Sequence, residues 1–216
     1  MVAVFGAGGC AKELEWLLHD LQEAGGTSMP VDVFVDRDIR ETHFLDKPLM
    51  DEEAFFQTHA NGDDLSIFIA LGNCFLRRKV CNNIATRISG KPIFPTAIHP
   101  TVRADLRQGR LTYGHGNILC AMSIFMPDVS IGNFNYISLN SIIGHDTVIG
   151  DFVTIFPGVR IAGHVKIQDR VLIGTGAIII ENIRICSDVI IGAGSVVTKD
   201  IQEPGTYVGI PAKRLK

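Results

Sequence analysis

Apolar positions divide the chain into two regimes. From residue 131 onward isoleucine returns at every sixth position: Ile131, Ile137, Ile143, Ile149, Ile155, Ile161, Ile167, Ile173, Ile179, Ile185 and Ile191, with Val197 continuing the phase. Phe125 and Leu119 extend it weakly backwards. A period of six matches neither the 3.6-residue turn of a helix nor the alternation of one long strand. It predicts a solenoid, whose units stack because none can bury its own apolar face. The fourth residue after each isoleucine is also small or β-branched, from Ser141 and Thr147 through Val153 to Val189 and Ser195, and only Asn135 departs from the rule. Two inward positions per six residues describe a short strand followed by a corner. Glycine follows the isoleucine at Gly132, Gly144, Gly150, Gly174 and Gly192, where the corner is expected to demand backbone freedom.

The first hundred residues follow other periods. Val2 to Phe5 is a short apolar run closed by Gly6-Ala7-Gly8-Gly9, after which Leu14, Leu17, Leu18 and Leu21 mark one face of a helix. Val31 to Val35 reads as a second strand ending at Asp36-Arg37, and Ile67 to Leu71 as a third ending at Gly72-Asn73. Leu76, Val80, Ile84 and Ile88 then recur every four residues on a second helix. Residues 38–64 are polar and contain Pro48, which predicts an irregular connection with a short helix near Asp51 to His59. Strands alternating with helices imply an α/β domain with a small parallel, Rossmann-like sheet that binds ligands at its strand ends. The division is placed near Pro95 to Pro100, giving domains 1–97 and 98–216.

Gly6-x-Gly8-x-x-Ala11 satisfies a loose dinucleotide fingerprint, with Asp36 where a ribose-contacting acid would stand. Glycines admit phosphate to the backbone, and the helix N-terminus offers it unsatisfied N–H groups. The competing reading is a plain strand-to-helix turn. Hydride transfer is disfavoured, because the sheet has too few strands for two mononucleotide-binding halves.

Composition narrows the field without choosing within it. A net charge of −3 and no dense Lys/Arg run give no case for nucleic acid. No apolar run is long enough to span a membrane and the start lacks signal-peptide segments, so a cytoplasmic location is expected. Five cysteines without CxxC spacing argue for reduced thiols over a disulfide framework or a structural zinc site.

The opening GAGGCAKE, the strand end VDRD, the segment ALGN before a basic helix, the core IIGHDTVIGD and the closing GAGSVVTKDI and VGIPAK together resemble the hexapeptide-repeat sugar acyltransferases. That family includes bacterial N-acetyltransferases of nucleotide-linked amino sugars and sialic-acid O-acetyltransferase-like proteins. The resemblance covers almost the whole chain. It implies a left-handed parallel β-helix with eighteen residues per triangular coil, a hand contrary to the usual crossover rule. It also implies a homotrimer, with acetyl-coenzyme A as co-substrate in a groove between subunits and no metal. The nucleotide of the sugar substrate maps by resemblance onto Gly6, Gly8, Gly9, Asp36, Arg37, Gly72 and Asn73. Cofactor contacts map onto Gly163, Thr175 and Ala193, with Gly174 and Gly192 keeping the groove wall low. Asn140 is a candidate for placing the acceptor.

His145-Asp146 lies outside the inward positions of its hexad. In the resembling enzymes this histidine is the general base and the acid beside it orients the ring. Imidazole titrates near neutral pH and suits removal of a proton from an attacking amine or hydroxyl. Counting eighteen residues onward stacks Gly163 beneath His145 and His164 beneath Asp146. The Gly163 N–H is then the candidate for receiving negative charge on the thioester oxygen, while His164 either pairs with Asp146 or touches the cofactor. The expected function is transfer of acetyl to the amine of a nucleotide-activated sugar in bacterial surface-glycan biosynthesis. The alternatives are O-acetylation of a sugar or sialic acid, a trimeric zinc hydratase, which the histidine spacing disfavours, and a noncatalytic nucleotide-sugar sensor.

Overall fold

A computed structural model describes residues 1–105 and 110–215. The apolar run at the start forms β1 (Val2–Phe5), and a second forms β2 (Val33–Asp36). The edge pair is β3 (His43–Phe44) and β4 (Lys47–Asp51), and β5 (Ser66–Ile69) completes the sheet. The order is β3-β4-β2-β1-β5, parallel throughout except for β3. The predicted short helix is α2 (Glu52–Thr58), capped by Asp51 accepting from the Glu53 and Ala54 N–H groups. The preceding residues are not wholly irregular as expected: Lys47–Asp51 joins the sheet, with Pro48 confined to the short ladder opposite His43, where a missing N–H costs little.

Helix α1 (Gly9–Glu23) buries Leu14, Leu17 and Leu18 as its pattern requires. Helix α3 (Cys74–Arg87) corrects the sequence reading. Val80 and Ile84 are buried, but Leu76 is 41% exposed and the guanidinium-bearing Arg77 takes the inward position at 1% exposure. This face of α3 meets the solenoid, whose turn carbonyls offer an arginine the acceptors that leucine cannot use.

The solenoid opens with β6 (Ala97–Ile98), which pairs with Ile118–Leu119, so a division between 97 and 98 falls inside a strand. Two- and three-residue strands then pair in parallel at an offset of eighteen, as Ile143 does with Phe125 on one side and Ile161 on the other. Three sheets result, forming a left-handed parallel β-helix. Every isoleucine of the ladder and every residue of the small-residue series is buried. Asn135 fits inside by joining backbone to backbone, donating from its N–H to Asn117 Oδ1 and accepting from the Val153 N–H.

Corner geometry overturns one expectation. The residue with left-handed φ is the third after each isoleucine, including Asn140 (54°), Asp146 (57°), Phe152 (56°) and His164 (58°), and not the glycine directly after the isoleucine. Those glycines allow close approach instead: a Cβ on Gly174 would lie 2.5 Å from the Ala193 nitrogen of the next coil.

The two parts share cores. Leu14 and Leu17 pack in one cluster with Ile118, Cys120 and Tyr136 of the solenoid, while Phe134 enters the cluster around Phe5 and Ile84. Phe134 also stacks on Phe152 at 5.1 Å, so the α/β domain seats on one corner and one face of the coil. At the far end Gly205–Val208 extends the sheet beyond Val189–Ile191, and Lys213–Arg214 folds back against it.

Candidate active site

The corner at residues 145–146 brings together the two side chains that the sequence singles out. His145 Nδ1 and Asp146 Oδ2 are 2.7 Å apart, both side chains about half exposed. The hydrogen bond from His145, reinforced by the fields of His164 and Arg110, holds the Asp146 carboxyl below the usual range. An ionised acceptor at Nδ1 favours the proton there and leaves the Nε2 lone pair free to act as a base.

One coil further on, Gly163 lies against the imidazole. A Cβ at Gly163 would sit 2.6 Å from His145 Cε1 and Nε2, so the glycine is what allows the ring its place. Among the described residues the Gly163 N–H has no hydrogen-bond partner, whereas the next N–H, of His164, donates to the His145 carbonyl at 2.8 Å. His164 Nε2 is 3.8 Å from Asp146 Oδ2, with its ring edge-on to His145 at 5.0 Å between centroids. The Gly163→Ala variant is expected to fold normally, because the exposed imidazole can swing aside, and to lose roughly 100-fold in kcat through misplacement of the base. Thermal denaturation and steady-state kinetics on the variant check both halves of that expectation.

The α/β domain carries the other half of the site, a cavity of about 730 Å³ at the strand ends. Gly8, Gly9, Asp36 and Gly72 line it. A Cβ at Gly8 or Gly9 would meet no atom within 4 Å, so no protein contact requires glycine there; both positions border the open space of the cavity. Gly6 has a different role. Its φ is 110°, and any Cβ there would stand 2.8 Å from the Ala70 carbonyl oxygen, so glycine is a backbone requirement of the turn. Asp36 Oδ2 accepts from the Ala7 N–H at 2.8 Å, fixing the loop at the mouth of α1. Arg37 is not brought to the cavity: its guanidinium forms a two-pronged pair with Glu52 at 2.5 and 2.9 Å. Asn73 caps α3 by accepting from the Leu76 N–H.

The cavity also has walls that the motif did not reveal, among them Cys10, Lys12, His43 and Phe44. Lys12 lies over the Phe44 ring at 5.9 Å, which places a cation at the start of α1 where the helix lacks an acidic first turn. Only the β3–β4 strand pairing brings His43 and Phe44 there, and residues 38–51 carry no periodicity from which to read it. Burial pushes the Cys10 thiol pKa up.

The solenoid candidates separate by corner. His145, Asp146, Gly163 and His164 stack in one column, while Asn140, Thr175 and Ala193 stand at the neighbouring corner with Gly174 and Gly192 just before it. The Thr175 and Ala193 N–H groups, like that of Gly163, have no partner among the described residues. Asn140 uses its carbonyl to accept from Arg160 at 2.6 Å. The cavity floor lies beside this second corner, because Gly72 adjoins Cys10 and Phe156 and its carbonyl accepts from Thr154. Five residues separate Asn140 from His145, about 15 Å of extended chain.

No curated protein matches the chain in sequence. Residues 1–84 match the PglD N-terminal domain, and residues 146–181 and 164–199 match the bacterial transferase hexapeptide repeat. Among solved structures, PerB from Caulobacter crescentus in complex with CoA and GDP-perosamine is 27% identical, with 100% of this chain and 97% of that one covered and a TM-score of 0.83. The acetyltransferase domain of PglB from Neisseria gonorrhoeae in complex with acetyl coenzyme A is 26% identical over 99% and 98%, with a TM-score of 0.83. WeeI from Acinetobacter baumannii is 27% identical over 100% and 99%, with a TM-score of 0.81. No helix among the described residues is long and apolar enough to cross a membrane.

Proposed function

The chain belongs to the hexapeptide-repeat sugar acyltransferases, with a PglD-type domain ahead of the repeats, and we propose that it transfers acetyl from acetyl-coenzyme A to the amine of a nucleotide-activated amino sugar in bacterial surface-glycan biosynthesis. The cytoplasm is the proposed place of action. One observation carries the reading: a nucleotide-sized cavity and a His–Asp dyad beside an unpaired N–H occur in a chain whose full length matches perosamine N-acetyltransferase from Caulobacter crescentus, solved as a point mutant with CoA and GDP-perosamine.

In this reading Gly8, Gly9 and the start of α1 receive the diphosphate, with Lys12 as a cation beside it, and Asp36 borders the ribose. The acceptor nitrogen attacks the thioester carbonyl; a C–N bond forms and the C–S bond breaks. His145 Nε2 takes the proton leaving nitrogen, and Asp146 steadies the imidazolium. The Gly163 N–H meets the charge that develops on the thioester oxygen. The proton on His145 then passes to the departing thiolate, so the products are the amide and free coenzyme A, with no covalent enzyme intermediate.

The separation between corners supports a trimer. The cavity and the Thr175 and Ala193 N–H groups lie at one corner and the base at another, and a second copy presenting the first corner to the second would unite them. Apolar side chains point outward here: Ile178, on the face between these corners, is 43% exposed, and Met122, at the first corner, is 57% exposed. A heterologous contact of this kind closes into a ring of three where it turns each copy by a third of a circle. Chains lacking the base (His145→Ala), co-refolded with chains whose cavity is blocked (Gly8→Trp), are expected to regain activity that neither has alone. Restoration reports a site shared between subunits, and its absence reports one confined to a single chain.

Mass spectrometry of reactions with acetyl-coenzyme A and a panel of nucleotide-linked amino sugars tests the function. A product heavier by one acetyl group on nitrogen is expected. Acetylation confined to hydroxyls, or efficient use of free sugars, would overturn the proposal.

A further inference from the structure

The column of residues that holds the base also assembles a metal-ligand set. One donor atom from each of His145, Asp146 and His164 lies within 4.8 Å of the other two, giving two imidazole nitrogens and a carboxylate oxygen. This donor set is one that zinc accepts, with three protein ligands and an open fourth position. We propose that the His145–Asp146–His164 cluster is an inhibitory site for zinc(II), in which the ion occupies the base and stops acetyl transfer. The inhibitory consequence rests on the proposed role of His145; the binding site itself does not.

The backbone brings the three side chains together. Eighteen-residue stacking places His164 directly below Asp146, the His164 N–H donates to the His145 carbonyl at 2.8 Å, and Asp146 and His164 share left-handed φ values of 57° and 58°. The two histidine rings meet edge-on at 5.0 Å, and Asp146 Oδ2 lies 2.7 Å from one and 3.8 Å from the other. Tetrahedral zinc with bonds of about 2.0–2.1 Å needs ligands about 3.4 Å apart, so the widest pair closes by at most roughly 1.4 Å. All three side chains are about half exposed, so rotation of that size displaces no packed neighbour and a hydrated ion has open access.

Charge at this corner favours a cation. Asp146 contributes a carboxylate to the donor set, and the nearby Arg110 is taken up by Asp128 one coil up. Glu181 stands eighteen residues beyond Gly163 and is exposed. Binding at either nitrogen of His145 removes the base: at Nε2 the ion takes the lone pair, and at Nδ1 it displaces the proton that the ring donates to Asp146. The ion exchanges for a proton or for water, and nothing is oxidised or reduced.

Calorimetric titration of the full-length protein with zinc chloride is expected to show one ion per chain at this site, with affinity at least tenfold weaker in His164→Gln. Cobalt(II) is expected to give d–d bands without a thiolate charge-transfer band, which separates this site from the free cysteines. Initial rates of the wild-type protein are expected to fall with a midpoint matching the calorimetric affinity and to recover on adding chelator. Absence of a binding step, or binding unaltered in His164→Gln, overturns the site and leaves acetyl transfer untouched. Zinc held at the cluster with turnover unchanged overturns the inhibition, and it removes His145 from the mechanism as well.

Discussion

His145→Ala is expected to lower kcat by about 10²–10⁴-fold while coenzyme A binding stays close to that of the parent protein. The size of the effect is that of general-base catalysis, because the variant removes the imidazole proposed to accept the amine proton. Binding is spared because the proposed donor contacts are backbone N–H groups of Gly163, Thr175 and Ala193, none of which depends on the imidazole. The side chain is about half exposed and lies against Gly163 and His164, so removing it leaves no buried cavity to destabilise the fold. Asp146→Asn separates orientation from proton acceptance. The amide can still touch Nδ1 but no longer steadies the imidazolium, so an intermediate loss is expected. Steady-state kinetics with calorimetric measurement of coenzyme A binding check these outcomes, and near-normal turnover in His145→Ala would remove the residue from the chemistry.

The solenoid was legible because its signal is redundant. Each coil repeats the same inward pair, and a single exception such as Asn135 does not disturb the phase; burial of Ile131 through Ile191 follows directly. The same phase placed Gly163 and His164 beneath the dyad, since a fixed eighteen-residue offset converts sequence separation into contact. Legibility failed where a residue's surroundings come from the other domain. Arg77 reads as a solvated helix position from sequence, and its acceptors at residues 134, 153 and 154 become visible only once the domains are docked. Leu76 reads as core for the same reason and is exposed. Lys12, His43 and Phe44 belong to the cavity through the pairing of β3 with β4, which residues 38–51 do not announce. Arg37 falls next to Asp36 in sequence, yet the alternation of an extended segment sends its side chain to Glu52. The division of the donor and acceptor residues between two corners is likewise a property of the closed triangle, invisible in a linear list of motifs.

Arg77→Ala is expected to cause the largest loss of stability of any single substitution in the interface between the two domains. The guanidinium is fully buried, and burial pushes its pKa down to about 10, so it remains charged at neutral pH. Instead of a carboxylate, it has an acceptor at every edge: it donates to the carbonyls of Leu71, Phe134 and Val153 and to Thr154 Oγ1. Three of these acceptors lie on the solenoid and one on the loop that leads to Gly72, so a single side chain ties the cavity floor to the coil. Truncation strands the Leu71 and Phe134 carbonyls, leaves that of Val153 with the Tyr136 N–H alone and opens a void, while relief of the desolvated charge offsets part of the loss. A net destabilisation of about 3–5 kcal/mol follows, or a fall of roughly 10 °C in the thermal midpoint for a chain of this size. Arg77→Lys is expected to recover little, because an ammonium on a flexible stem cannot meet four acceptors spread around a planar fork. The folded fraction of either variant is expected to show a raised KM for the nucleotide sugar with a smaller change in KM for acetyl-coenzyme A, since Gly72 borders the first site and lies away from the histidine column. Thermal denaturation and substrate-resolved kinetics read the two effects separately. A stable Arg77→Ala protein with unaltered KM values would show that the apolar contacts of Phe134 and Tyr136 hold the domains together without it.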